Sequence, residues 1–545
     1  MSRFVRPSKY RHVYGTAAKR DQCYDNLRVT NNAWDSNIVK TNPLFVAVNW
    51  QSSGGGSFVV IPHDTVGKLP DNYPQYRGHT AAVLDTDFHP FNDYVIASGA
   101  EDSKVMIWNI PEKYKEEDQE DIEPVLKLSG HGRKVGQVLF HPTANNVLAS
   151  ASTDLTIKLW DIEKGQERQE ITGHKEIIQS MAYNYNGSLM ATTCRDKKLR
   201  IFDLRSNKVV QEGAGHQGVK GSRVVWLGES DRIVTTGFSR MSDRQMNLWN
   251  TADLSKPIKG EFLDTSSGVL MPFYDQDTKM LYLAGKGDGN IRYFEYENDE
   301  LFFLSAYQSP EPQRGMAFLP KRSVNVSECE VVRAYKVTSS LVEPISFKVP
   351  RKASVFTILP IPNQSDAFQS DIYPPAIGDE PALTADEWFG GKDANPKTID
   401  LEAGYTVKAK QEFVTSATAE APAALADKSS EAAKPAAASS DNDSAKLRKE
   451  NEDLKDSLAQ KDVKIRNLEL EIEKLKTSLA EINLTKKVES TTSPTAPSEE
   501  PISQAAAGAA TAAAEEGTDG VVSSNAVTDD SADVELPHNS NALTE

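Results

Sequence analysis

Two hydrophobic periods divide the chain. Up to about residue 400, apolar residues come in short runs, such as VMIW at 105–108 and TIKLW at 156–160, broken by turn-forming Gly, Pro, Asn, Asp and Ser. Short Val-, Ile- and aromatic-rich runs between turn residues predict β-strands. From Leu447 the period becomes heptad. The a positions read Asn451, Leu458, Ile465, Ile472 and Leu479, and the d positions Leu447, Leu454, Lys461, Leu468, Leu475 and Ile482. That repeat predicts an α-helical coiled coil over 445–487. The stretches before it (406–444) and after it (488–545) are rich in Ala, Ser and Pro and poor in aromatics, which predicts a disordered linker and a disordered tail.

The strand-type region carries an internal ruler. Gly-His pairs end at His79, His131, His174 and His216, and each is followed by an aromatic and a short polar residue, at Trp108, Trp160, Phe202 and Trp249. Six residues before each aromatic stands an Asp: Asp102, Asp154, Asp196 and Asp243. A fifth unit keeps Asp288 and Phe294 but has lost its Gly-His. The spacing is that of WD-repeat blades, each a four-stranded antiparallel sheet. In such repeats the imidazole bridges to the turn Asp, and a strand hydroxyl links it to the buried indole N–H. Ser98, Ser150 and Thr192 are the hydroxyl candidates, each four residues before its Asp. Phe202 has no N–H, so its network should be incomplete.

Five ruled units do not close a ring. The stretches 43–61 and 314–349 supply further strand-like runs, one blade on each side, giving an all-β, seven-bladed propeller over 1–350. An N-terminal strand is expected to complete the last blade, since propellers avoid open edges.

Charge and cysteine content narrow the function classes. The net charge is −17, but residues 489–545 hold eleven acids and no Lys or Arg. The remainder is nearly balanced and gives no footprint for a nucleic acid. Cys23, Cys194 and Cys329 are few, odd in number and far apart, which argues against a disulfide framework or a zinc site. The basic N-terminus lacks an apolar h-region, and no run of 18 apolar residues exists, so neither a secretory signal nor a membrane span is expected. Most of the nine His belong to the Gly-His ruler or to the FHP pairs at His89 and His141. With no P-loop, GxSxG or metal-spaced cluster, neither enzyme chemistry, a cofactor nor a metal is expected. The first twenty residues carry Arg3, Arg6, Lys9, Arg11, Lys19 and Arg20 with no acid before Asp21, a strip suited to an acidic partner.

Several non-repetitive segments carry more information than the ruler. SKYRHVYG at 8–15, DQCYDNLRVT at 21–30, SPEPQRGMAFLPKRSVNVSECEV at 309–331, VPRK at 349–352, FQSDIYPP at 368–375 and EWFGGKDANP at 387–396 closely resemble coronins. The resemblance covers roughly 1–405 and implies an extension over 351–405 packed on the propeller. It also implies binding, organising and bundling of actin filaments, engagement of the actin-related-protein complex that nucleates branches, and residence in the cytoplasm at cortical actin. Arg28 matches the family's actin-contact arginine, and Arg11, Lys19 and Arg20 are the further candidates for the acidic filament. Two features depart from the pattern: FTILPIPNQSDA at 356–367 reads as an insertion, and KYKEEDQEDIEP at 113–124 lengthens the loop after Trp108. The competing function is a WD-repeat adaptor such as a ubiquitin-ligase substrate receptor, for which FDLR at 202–205 is a loose match with Phe in place of Trp.

The coil's charges favour a parallel homo-oligomer, because Glu450, Lys464 and Glu471 at g face Lys455, Glu469 and Lys476 at e′. KIRNLE at 464–469 is similar to the trimer-favouring pattern of coronin coils, with Lys464 in place of Arg. Asn451 and the Ile-over-Leu layers lean toward a dimer. Both orders stay open, with the trimer slightly preferred. Replacing Leu454, Leu468 and Leu475 with Asp should reduce the mass measured by light scattering to that of one chain while the propeller's melting transition stays in place.

Overall fold

The computed structural model describes residues 6–112, 121–351, 368–402 and 404–416; the heptad, the acidic tail and the 356–367 insertion lie outside these, as does most of the 113–124 loop. Seven antiparallel sheets follow one another along the chain. Six are four-stranded: blade 1 (39–79), blade 2 (83–129), blade 3 (135–171), blade 4 (178–214), blade 5 (223–264) and blade 6 (270–308). Blade 7 takes three strands from 315–348 and its outer strand, Tyr14–Ala17, from the N-terminus, paired antiparallel to Val342–Lys348. The expected latch is therefore present.

Seven buried clusters hold the ring, one at each junction between neighbouring blades. Phe58, Tyr76 and Trp108, for example, fill the junction of blades 1 and 2, and Tyr282, Tyr293 and Phe347 that of blades 6 and 7. Each blade is covered on both faces, so its inner strands are buried on both sides, whereas outer strands such as Gln166–Ile171 and Lys208–Ala214 are largely exposed.

The Gly-His networks staple adjacent blades rather than single ones. His79 ends the outer strand of blade 1, yet its Nε2 lies 2.7 Å from Ser98 Oγ and its Nδ1 3.0 Å from Asp102 in blade 2. Trp108 Nε1 donates to the same Ser98 hydroxyl at 2.8 Å. His131 repeats the pattern with Ser150 (2.8 Å), Asp154 (2.9 Å) and the Trp160 indole (2.8 Å to Ser150). Burial alone would raise the Asp154 carboxyl, but hydrogen bonds from Thr156 and His131 outweigh it and hold it below the usual range.

Two networks differ from the sequence expectation. His174 reaches Thr192 at 3.0 Å, but Asp196 turns away to the buried Arg200 guanidinium, at 2.6 and 3.2 Å. His174 packs on Phe202 at 4.9 Å, and its Nδ1 has no hydrogen-bond partner. In blade 5 the hydroxyl is Thr235, 2.9 Å from His216 Nε2 and 2.8 Å from Trp249 Nε1. The longer hairpin after Thr235 carries Asp243 away from His216 and onto Ser239, at 2.8 Å. Blade 6 replaces the lost imidazole with Arg244 of blade 5, paired to Asp288 at 2.7 Å and to Asp264 at 2.6 Å.

Two segments cross the ends of the channel. Residues 31–37 lie over one mouth, defined here as the upper: Trp34 Nε1 donates to Gly136 O at 2.8 Å in blade 3, and Arg223 of blade 5 donates to Asp35 O. Gly136 is required by this approach, since a Cβ there would stand 2.1 Å from the indole. Lys286 of blade 6 lies 3.7 Å from Asp35, and burial together with Arg223 pushes its ammonium down to about 8.

The C-terminal extension straps the opposite face. Ile372 and Tyr373 join the core between blades 6 and 7. Strands Ala376–Ile377 and Thr398–Ile399 pair. The helix Ala385–Phe389 is fixed by a Thr384–Glu387 capping box, and its buried Trp388 packs 4.5 Å from His141. Asp386 is gripped by Lys164 (2.5 Å) and Arg168 (3.1 Å). The packed chain continues past 405, where a linker is expected from sequence: Phe413 enters the core between blades 2 and 3, and Thr415 and Ser416 each donate to Glu163 O at 3.0 Å. The physical reason is Phe413 itself, the last aromatic of the chain, which anchors what its polar neighbours would leave free.

Asp154→Ala strands the His131 donor and should cost about 1–3 kcal/mol. Asp243→Ala, with no imidazole at stake, should stay within about 0.5 kcal/mol. Denaturant melts of the two variants test that ordering, and equal losses would contradict it.

Candidate interaction surface

The basic N-terminal strip divides into structural and free cations. Arg6 is ion-paired with Glu295 and Glu297 of blade 6 and lies 4.3 Å over the Phe302 ring. Lys9 donates to Asp371 O at 2.9 Å. Arg11 is half-buried and donates to Arg6 O. These groups seat the arm on the propeller. Of the sequence candidates, Arg11 is therefore the one turned inward.

Beyond the latch strand the chain runs along blade 7 to blade 1. Ala18 N bonds to Pro344 O at 2.8 Å, Leu27 N to Ser340 O at 2.9 Å, and Thr30 N to Asn49 O at 3.0 Å. Lys19 and Arg20 sit on a short 3₁₀ turn, both exposed. Arg20 pairs with Asp25 at 2.7 Å, a surface pair with both partners partly in water and so weak. Arg28 is exposed between buried Leu27 and Val29, and its carbonyl accepts from Gln51 N at 2.7 Å. The backbone is thus fixed on both sides while the guanidinium is exposed and, among the described residues, forms no ion pair.

Lys68 belongs to the same rim and was not identified from sequence. Tyr24–Asp25 pairs in parallel with Gly67–Lys68, which sets the Lys68 ammonium near Asp25 and Asp71. Asp71 also feels Arg28, and a hydrogen bond from Asn26 holds its carboxyl low. The Asn26 N–H, followed by Arg20, does the same for Asp25. Lys19, Arg20, Arg28 and Lys68 share one rim at the junction of blades 7 and 1 with the carboxylates of Asp21, Asp25 and Asp71. No short motif announces Lys68; only the strand pairing brings it there.

The remaining sequence candidates are occupied in the fold. Thr143 N and Ala144 N donate to His141 Nδ1 at 3.2 and 2.8 Å, leaving Nε2 to meet Gly187 O at 3.0 Å, and burial pushes this imidazole down to about 3. All three cysteines are free and buried. Among the described residues, no helix is long and apolar enough to cross a membrane.

Comparison with known proteins agrees with this architecture. Residues 72–109, 122–161 and 165–203 match the WD domain, G-beta repeat; 342–357 and 360–396 match a type of WD40 repeat; and 3–68 match a domain of unknown function, DUF1899. The chain is 55% identical over 432 residues to the coronin-like protein crn1 of Schizosaccharomyces pombe, covering 79% of this chain and 70% of that protein. It is 55% identical over 414 residues to the coronin-like protein of Saccharomyces cerevisiae, covering 74% of this chain and 62% of that longer protein. The crystal structure of the WD40 domain of Toxoplasma gondii coronin superposes with a TM-score of 0.67 at 33% identity, covering 72% of this chain and 98% of that domain. Blade order, N-terminal latch and identity over most of the length lead to one conclusion: the chain belongs to the coronin family.

Proposed function

We propose that this protein binds actin filaments through the rim at blades 7 and 1, with Arg28 as the central contact and Lys19, Arg20 and Lys68 as flanking cations. The observation that carries this reading is an exposed Arg28, without an ion pair among the described residues, on a backbone fixed on both sides. An acidic filament would be steered by such a rim and held in register by a side chain whose base does not move. The family resemblance at 21–30 supports actin as the acidic partner. Organisation and bundling of filaments and regulation of the branch-nucleating complex, at cortical actin, follow from the same resemblance and from the heptad at 447–482. One rim binds weakly and is screened within about 8–10 Å at ordinary ionic strength. Several propellers on one coil would raise avidity by roughly 10²–10⁴.

The adaptor reading is disfavoured by a specific contact. Phe202 and Leu204 of FDLR are buried, and Arg205 is paired with Asp393 at 2.8 Å, with its guanidinium 5.9 Å from the Trp388 ring. The arginine that a substrate receptor would present is already used to hold the extension.

Arg28→Asp should weaken filament co-sedimentation about tenfold with an unchanged melting midpoint. Lys68→Glu should give a smaller loss that shrinks as salt rises. Wild-type co-sedimentation of Arg28→Asp would exclude the rim as the contact.

A further inference from the structure

The lower mouth of the channel, opposite the 31–37 loop, holds two adjoining grooves of about 440 and 330 Å³. They share Val225, Tyr274, Gln276 and Ile377, so they form one trough around the ends of the innermost strands. Its walls are largely apolar, with Phe273 and Phe318 stacked at 4.4 Å. Among the described residues, one polar group in it lacks a partner and another lacks an ion pair. Tyr183, 9% exposed, lines the second groove, and its buried hydroxyl makes no hydrogen bond. Asp277 lines the first groove with a side-chain hydrogen bond from Gln276 and, among the described residues, no ion pair, whereas its neighbour Asp275 is paired with Lys321 at 2.5 Å and accepts from Thr278. Lys321 also donates to Val331 O at 2.5 Å, so two of its three N–H donors are already engaged.

We propose that this trough is a docking site for a partner peptide that presents a lysine or arginine beside an apolar side chain. A buried phenol without a partner and a carboxylate without an ion pair in an apolar wall are costly unless something pairs with them. A cation from the peptide pairs with Asp277, its apolar neighbour rests on Val225 and the Phe273–Phe318 stack, and a peptide carbonyl accepts from Tyr183. The sign of the charge left without an ion pair selects the occupant: Lys321 and Arg322 in the same wall are paired with Asp275 and Asp93, whereas Asp277 and the nearby Glu229 form no ion pair among the described residues.

Asp277 also gives the site a pH signature. It faces Asp275, Tyr274 and Lys279 from its own blade, Tyr10 from the N-terminal arm, Lys321 from blade 7, and Tyr185 and Glu229 from blades 4 and 5. Burial first, then Asp275, push its carboxyl up to about 7. The raised value means that a cation meets a mostly neutral acid at pH 6 and a mostly ionised one at pH 8. Affinity for a cationic peptide therefore rises with pH, by roughly tenfold across that interval.

The test is a ligand-observed NMR titration of the full-length protein with acetyl-Arg-Phe-amide and, as the sign control, acetyl-Glu-Phe-amide. The expected result is saturable binding of the arginine peptide alone, about tenfold tighter at pH 8 than at pH 6. Asp277→Asn should lose about tenfold at pH 8 and flatten the profile, with filament co-sedimentation unchanged. Equal binding of both peptides, no saturable binding, or a flat profile in the wild type would overturn the proposal. The wild-type contrast between the two peptides decides the matter even if the variant folds poorly.

Discussion

The structure depends on closing the ring. Each blade exposes apolar side chains on both faces, and neither face can be buried except by a neighbour. Six blades built from contiguous sequence would leave the seventh with an open edge, and an open strand edge invites pairing with other chains. Tyr14–Ala17 supplies the missing strand from the far end of the chain. Tyr10 and Val13 are buried in the same core as Phe347 and Tyr293, so the latch contributes apolar surface as well as hydrogen bonds. Tyr293 adds a hydroxyl bond to Val13 O at 2.7 Å.

The stapling networks answer the same constraint on a smaller scale. A hydrogen-bonded imidazole that begins on one blade and ends in the next makes the junction specific, where apolar contact alone would allow sliding. This explains why the networks need not be identical. At the junction of blades 5 and 6, Arg244 spans to Asp288 with a bidentate grip on Asp264, and a guanidinium serves where no imidazole is present. At the junction of blades 3 and 4, Arg200 takes the Asp that His174 lacks. What is kept is a buried polar side chain that crosses the junction and hydrogen-bonds or ion-pairs in the next blade: His79 to Ser98, His131 to Ser150, His174 to Thr192, His216 to Thr235 and Arg244 to Asp288.

Much of this was legible in sequence, for reasons that also mark the limits. A fixed interval between Gly-His, Asp and Trp reads out a hairpin of fixed length, so Ser98 and Ser150 could be named from counting alone. Thr235 could not, because the hairpin that follows it is longer and the count from Asp243 lands on Ser239. Asp196 could be located but not its partner, since Arg200 competes for it through a side chain that no spacing rule includes. The repeat also conceals the blade boundary: the Gly-His that opens a sequence unit closes the outer strand of the previous sheet. The rim shows the same limit. Arg28 was reached through a resemblance, and Lys68 needed the parallel pairing of two short strands. The end of the extension was underestimated because a single aromatic, Phe413, outweighs the polar composition around it.

The same closure that builds the fold also positions the rim. Upstream of Arg28, the latch strand is paired to blade 7; downstream, Thr30 is bonded to blade 1 and Trp34 and Asp35 are tied to blades 3, 5 and 6. A fluctuation that moved the Arg28 backbone would have to break contacts to most of the ring. Only the arginine's own rotamers remain free, and their ordering costs on the order of 1–2 kcal/mol on binding. Most of the entropy of presenting this side chain has therefore been spent in folding, before any partner is met. A cation on an unanchored arm would have to add its backbone ordering to that cost. The anchoring of Arg6 to blade 6 and of Lys9 to the extension thus serves the exposed arginine indirectly, because it holds the chain beyond them in one place.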